Sequence, residues 1–160
     1  MGLRPREDGD ALWDGLRDGR LSTLATDEYT TSYAVKMAGT DIESTPGGHA
    51  GIETRGLFGY SEGVVKRGVP LRRPKGLIAP GSDADIVLWD PVAERTITID
   101  LLHHDGDYSP WEGWRVRGWP AVTFLGGAVA VEHGELLADS RAGSFVPRRV
   151  DAEVLSSPAV

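Results

Sequence analysis

The sequence predicts an α/β layer in its first half and an all-β arrangement in its second. Three observations carry that expectation. "DGDALWDGLRDGRL" has the rhythm of an amphipathic helix and runs directly into "LSTLA", a short apolar stretch of strand character. "DIVLWD" reads as a buried strand that follows a Pro-Gly-Ser-Asp turn. Beyond it, "RTITI", "WRVRGWP" and "AVTFLGGAVAVEHGELLA" alternate strand-like runs with glycine turns.

In chain order, the first helix puts Leu12, Trp13 and Leu16 on one face, with Asp8 or Asp10 placed to cap its start and Gly19 to end it. The expected strand at 21–25 then climbs to a lone Asp27. Read from the residues alone, Asp27 is either a catalytic or metal-binding carboxylate or the polar end of a strand. Between 27 and 51 the composition shifts to Thr, Ser, Gly and Pro without a sustained period, which predicts a long loop. "GIETRGLFGYSEGVVKRG" predicts a second helix with Leu57, Phe58, Val64 and Val65 on its apolar side. Gly56, Gly59 and Gly63 weaken it as a free-standing element. Gly126-Gly127 and His133-Gly134 are the tight-turn candidates. The tail, "RAGSFVPRRVDAEVLSSPAV", is expected to run over the surface and fray.

The bulk numbers narrow the classes. A chain of 160 residues holds one ordinary domain or one and a half small ones. With 40% hydrophobic and 26% charged residues it falls among soluble globular chains rather than disordered ones. A net charge of -7 argues against nucleic acid or an anionic membrane as partner. No apolar run approaches membrane-spanning length, and "MGLRPREDGD" lacks the apolar core of a signal peptide. Arg6 at the sixth position breaks the myristoylation pattern. Without cysteine there are no disulfides and no thiolate ligands. A cytoplasmic protein is the expectation. No P-loop or dinucleotide fingerprint is present.

Four stretches, in order, resemble one family. They are "LATD" with its long loop, "GIETRGLFGYSEGVVKRG", "KGLIAPGSDADIVLWDP" and "HHDGDYSPWEGWRVRGWPAVTFLGGAVAVEHGEL". Together, over about residues 3 to 149, they are similar to the C-terminal part of the dihydropyrimidinase and D-hydantoinase family, cyclic amidases of the amidohydrolase superfamily. "PGSDADIVLWDP" is shared across that superfamily, whereas "GIETR" with "YSEGV" and "DYSPWEGWRVRGWP" are narrower.

The resemblance implies a C-terminal fragment of a metal-dependent (β/α)8 barrel hydrolase followed by the C-terminal strands of a β-sandwich. The partial barrel would span 1–72, with its last strand at 21–25, the sandwich portion 73–146, and a flexible tail 147–160. The implied chemistry is ring-opening C–N hydrolysis of a small cyclic amide by metal-activated water, with a binuclear zinc centre. Asp27 matches the aspartate that closes the last barrel strand, a metal ligand that handles the proton of the attacking water. Pro46-Gly47-Gly48 resembles the family's Pro-Asn-Gly segment, which makes Gly47 and Gly48 the substrate-binding candidates. An allantoinase-like or dihydroorotase-like hydrolase is the narrower alternative.

The departures are equally specific. Glu28 follows Asp27 where most members have His, and Gly47 replaces the Asn, so a backbone contact survives and a side-chain contact does not. A (β/α)8 barrel needs roughly 200 residues or more, far beyond what precedes the sandwich segment. There is no His-x-His pair, and His49, His103, His104 and His133 match no ligand position of the family. A catalytic zinc takes about three protein ligands plus water. Only a few residues separate "YSEGVVKRG" from "PKGLIAPGSDAD", where the family carries a further helix and turn.

These departures lead to the expectation of a fragment with an internal deletion that does not retain zinc and is inactive alone. The alternative in a different class is a non-catalytic, self-associating remnant, because a strand at 21–25 without neighbours exposes an edge. A homo-oligomer is therefore expected.

For the remaining polar candidates the sequence favours structural roles. Adjacent strand residues face opposite ways, so Glu28 is expected to be a solvated loop residue. Glu53 and Arg55 are expected to pair with each other or with neighbouring barrel elements. His103 and His104, beside Asp105 and Asp107, are expected in a loop or interface, and His49 in a mobile loop. The tryptophans of "PWEGWRVRGW" are expected in the core and at subunit contacts.

Overall fold

The fold, a computed structural model, describes residues 5–21, 23–70 and 78–137, with Phe145, Pro147, Ala152 and Ser156. Two compact units emerge, one from Met1–Pro70 with Pro91–Trp119, the other from Leu71–Asp90 with Pro120–Val160. Among the described residues no helix is long and apolar enough to cross a membrane.

In the first unit, helix α1 spans Arg6–Asp18 and ends, as expected, on Gly19 in the left-handed conformation (φ 83°). Its start differs from the expectation. Pro5 is the N-cap and no side chain caps the helix. Asp8 and Asp10 lie inside it, and Asp10 instead meets Arg67 at 3.5 Å. Trp13 and Leu16 are half-buried, but Leu12 is 57% exposed, so the apolar face is narrower than its periodicity implies. Trp13 seats on Gly63, where an added Cβ would lie 2.8 Å from the ring, and the Arg67 guanidinium lies over the Trp13 ring at 5.4 Å from its centroid.

The expected strand at 21–25 does not form among the described residues. Leu21 and Leu24 are 40% and 46% exposed. A parallel strand is held by neighbours on its edges, and none of the described residues supplies a ladder there. The expected loop from 27 to 51 contains a short helix, α2 (Tyr33–Met37), whose first turn is capped by Ser32 Oγ accepting from the Val35 amide at 3.3 Å. Further on, Asp41 Oδ1 accepts from the amides of Glu43 and Ser44 and closes a turn.

The second predicted helix is present as α3 (Ile52–Phe58), continuing through a π-helical turn, Gly59–Val65. Leu57 and Ser61 are 2% and 1% exposed on it. Ser61 Oγ accepts the Arg117 amide at 3.1 Å. Burial pushes the Glu62 carboxyl up, but hydrogen bonds from Lys66 (2.6 Å), Trp114 Nε1 (3.3 Å) and Arg67 outweigh it and hold the group below its usual range. Tyr60 lies against Gly118, whose φ of 91° and lack of a Cβ are both required, since a Cβ would fall 2.3 Å from the ring.

The strands follow the sequence reading in position, but "DIVLWD" is not the buried strand expected, since Val87 and Leu88 are 43% and 50% exposed. They are β1 (Ile86–Thr96), β2 (Arg115–Leu125), β3 (Ala128–Glu132) and β4 (Glu135–Leu136), in the order β1-β2-β3-β4. The first runs from "DIVLWD" into "RT", after which a 3-10 turn, Ile99–Leu101, replaces the end of the expected "RTITI" strand. Ile97, fully buried, bonds through its backbone to Trp114 O and Gly113 N. Trp111, half-buried, packs on Phe58 at 4.6 Å and on Trp114 at 6.2 Å, but Trp114 is 44% exposed and so is not the core residue expected.

In the second unit, β2 and β3 pair antiparallel through the Gly126-Gly127 turn, with a bulge at Thr123/Phe124. Strands β3 and β4 pair through His133 (φ 52°) and Gly134 (φ 89°). Positive φ at both central residues is what a tight hairpin turn demands. Apart from Phe145, Pro147, Ala152 and Ser156, the expected tail lies outside the described residues.

Candidate functional site

The residues singled out by sequence fall in the first unit, around the start of α3. Asp27 is exposed and adopts φ 47°, a left-handed conformation that Asp tolerates better than most residues. Two residues on, Tyr29 packs against Gly48. The chain beside the candidate carboxylate therefore touches the candidate substrate loop.

Glu28 is not a solvated loop residue. It is half-buried, and its Oε2 accepts the amides of Gly51 and Ile52 at 2.6 and 2.5 Å, while Oε1 accepts Thr30 Oγ1 at 3.3 Å. It thus caps α3 from 23 residues upstream. The Gly51 amide, then that of Ile52, hold its carboxyl below the usual range. One local signal was available. Gly51 is the N-cap and has no side chain with which to cap, so the α3 amides need a partner from elsewhere.

Glu53 does not pair with Arg55. Its two oxygens take the His103 amide and the His103 Nδ1, each at 2.8 Å. The neighbouring His104 Nδ1 accepts the Gly106 amide at 3.0 Å, which places the proton of the neutral ring on Nε2. That Nε2 is buried and has no partner among the described residues. Glu28, Gly51, Glu53, Leu102, His103 and His104 line a cavity of about 230 Å³.

Asp107, which sequence placed beside the two histidines, instead accepts the Tyr33 amide at 2.6 Å at the start of α2. His49 is half-buried, edge-on to Trp111 at 6.0 Å, with Nδ1 3.2 Å from the Ala50 carbonyl. His133 sits in the β3–β4 turn of the second unit.

Gly47 is exposed and Gly48 half-buried. The Gly48 backbone has φ 78°, and a Cβ there would meet Tyr29 Cβ at 2.6 Å. Lys36 of α2, which the sequence reading did not single out, donates from Nζ to the carbonyls of Pro46 (2.5 Å) and Gly48 (2.8 Å).

Among the described residues no three His, Asp or Glu side chains converge where they could hold an ion. Asp27 is exposed, and Glu28 and Glu53 are committed to backbone and histidine partners. The described residues therefore do not fit a zinc centre, which takes about three protein ligands.

No family model matches the chain. The chain is 36% identical over 165 residues to a D-hydantoinase of Ralstonia pickettii, covering 91% of this chain and 36% of that protein. It is 35% identical to a D-hydantoinase of Rhizobium radiobacter, with the same coverage. Among solved structures, a D-hydantoinase superposes with a TM-score of 0.84 at 35% identity over 91% of this chain and 36% of the other. A dihydropyrimidinase from Brevibacillus agri gives 0.78 at 34% identity over 84% of this chain and 33% of the other.

These neighbours place the chain with proteins of the amidohydrolase fold. Its curated homologues are D-hydantoinases and D-phenylhydantoinases, at 32–36% identity over 91% of its length. The chain spans about a third of the length of the curated relatives it matches.

Proposed function

We propose that this chain carries part of the machinery of a cyclic-amide hydrolase of the hydantoinase and dihydropyrimidinase kind, and that these 160 residues do not open a ring by themselves. The observation that supports this reading is the pairing of 36% identity over 91% of the chain with coverage of only 36% of the relative. In the proposal, Asp27 holds the position of the aspartate that closes the family's last barrel strand, and the backbone around Gly47 and Gly48 meets the amide. One carboxylate and a peptide loop bind and orient, but they do not generate a hydroxide at neutral pH. The division into a partial barrel over 1–72, a sandwich portion over 73–146 and a tail over 147–160 belongs to the same proposal, as does a cytoplasmic location.

Metal analysis of the purified chain after incubation with zinc is expected to find well below one ion per chain. Assays with hydantoin and dihydrouracil are expected to show no ring opening above buffer. A stoichiometric, chelator-removable zinc accompanied by turnover would overturn the reading. Turnover of allantoin or dihydroorotate alone would shift the substrate class.

A second reading, a self-associating module, is favoured by apolar exposure along the first unit. Leu24, Tyr33, Val35, Met37 and Ile42 are 46%, 54%, 52%, 61% and 86% exposed. Sedimentation velocity is expected to show association that rises with concentration across the micromolar range. A monodisperse monomer throughout that range would count against it.

A further inference from the structure

We propose that Lys36 is the positioning residue of the candidate substrate loop: by binding the carbonyls of Pro46 and Gly48 it turns the amides of Gly47 and His49 outward as a donor pair for a carbonyl oxygen of a cyclic amide. The proposal rests on the reading of the 46–48 segment as substrate-contacting.

The starting point is an inversion on α2. Val35 and Met37 are 52% and 61% exposed, whereas Lys36 between them is half-buried. Lysine is ordinarily the residue that reaches for water. Here Nζ turns inward and is hydrogen-bonded by two carbonyls, Pro46 at 2.5 Å and Gly48 at 2.8 Å. Among the described residues no carboxylate pairs with it, so its charge is met by peptide oxygens.

The consequence follows from peptide geometry. No cis peptide bond occurs in the described chain, so each C=O points opposite to the N–H of its own peptide group. The Pro46 carbonyl shares its peptide with the Gly47 amide, and the Gly48 carbonyl with the His49 amide. With both carbonyls aimed at one ammonium, both amides point away from it. No hydrogen bond among the described residues takes up either amide. The cation also polarises the two peptide groups, which strengthens their N–H groups as donors. Two amides of this kind resemble the backbone concavities that receive oxygen ligands. A second restraint holds the same loop: Gly48 lies against Tyr29 at a φ of 78°.

The test is an amide-resolved NMR titration of the whole chain with hydantoin, comparing wild type, Lys36→Met and Lys36→Arg. In the wild type the Gly47 and His49 amides are expected to shift with added hydantoin. Lys36→Met is expected to weaken that binding at least about fivefold, as loss of a charged hydrogen-bond donor implies. It is also expected to move the carbonyl carbon signals of Pro46 and Gly48 while leaving signals in β2–β4 unchanged. Lys36→Arg, which keeps the charge, is expected to restore most of the binding; if Lys36→Met does not fold, Lys36→Gln replaces it and is read identically.

Unchanged hydantoin binding in a folded Lys36→Met or Lys36→Gln chain, alongside wild-type shifts at Gly47 and His49, overturns the role of Lys36 and leaves the loop assignment standing. Absence of any shift over 46–49 in the wild type overturns the loop assignment, and the proposal falls with it.

Discussion

Leu57→Ala is expected to lower the unfolding free energy by about 3 kcal/mol, within the range of roughly 2–5 kcal/mol for emptying a buried leucine site. Leu57 is 2% exposed, and Leu57 and Ile97 are the two large apolar side chains with essentially no exposure among the described residues. A core with so few fully buried large groups has little redundancy. Natural domains hold only about 5–15 kcal/mol of stability, so the loss is a large share of the total. Leu12→Ala is the control, because Leu12 shares the aliphatic chemistry but is 57% exposed. Its expected cost is below about 0.5–1 kcal/mol. Urea midpoints of the two variants should differ widely at equal slopes; equal midpoints would show that Leu57 does not anchor the first unit.

Glu28→Gln is expected to cost about 1–3 kcal/mol, because two charge-assisted hydrogen bonds to the start of α3 are reduced to neutral ones. The pH dependence gives this variant its distinguishing mark. The amides of Gly51 and Ile52 lower the Glu28 carboxyl below its ordinary value of 4.5. A carboxylate whose folded-state value is depressed binds its proton more readily when unfolded. Its contribution is therefore fully present above about 4.5 and is lost as the pH falls through the folded-state value. Thermal unfolding of wild type and Glu28→Gln should differ most near neutrality and converge in acid. Parallel curves from neutral to acid pH would remove Glu28 from the cap.

Much of the fold is legible locally. The stop of α1 at Gly19, the helix from Ile52 onward, and the turns at Gly126-Gly127 and His133-Gly134 each depend on periodicity or on positive φ within a few residues. The kinship with hydantoinases was equally legible, since the stretches that carry it lie within the 91% of the chain that aligns with them. Local reading failed where a partner lies far along the chain. Glu28 meets Gly51 across 23 residues and Glu53 meets His103 across 50. The apolar run at 21–25 looks like a strand but forms none among the described residues, where no neighbour completes its hydrogen bonds.

What the sequence by itself determined is therefore the first helix, the helix from Ile52, the positions of the strands beyond residue 85 with their turns, and the lineage. These follow from backbone preferences and side-chain spacing that act over one or two turns of chain. Only the tertiary structure decided which polar groups meet: Glu28 with the α3 amides, Glu53 with His103, and Lys36 with the carbonyls of Pro46 and Gly48. A carboxylate or an ammonium carries no local mark of its partner, because any donor or acceptor that packing brings within about 3 Å can satisfy it.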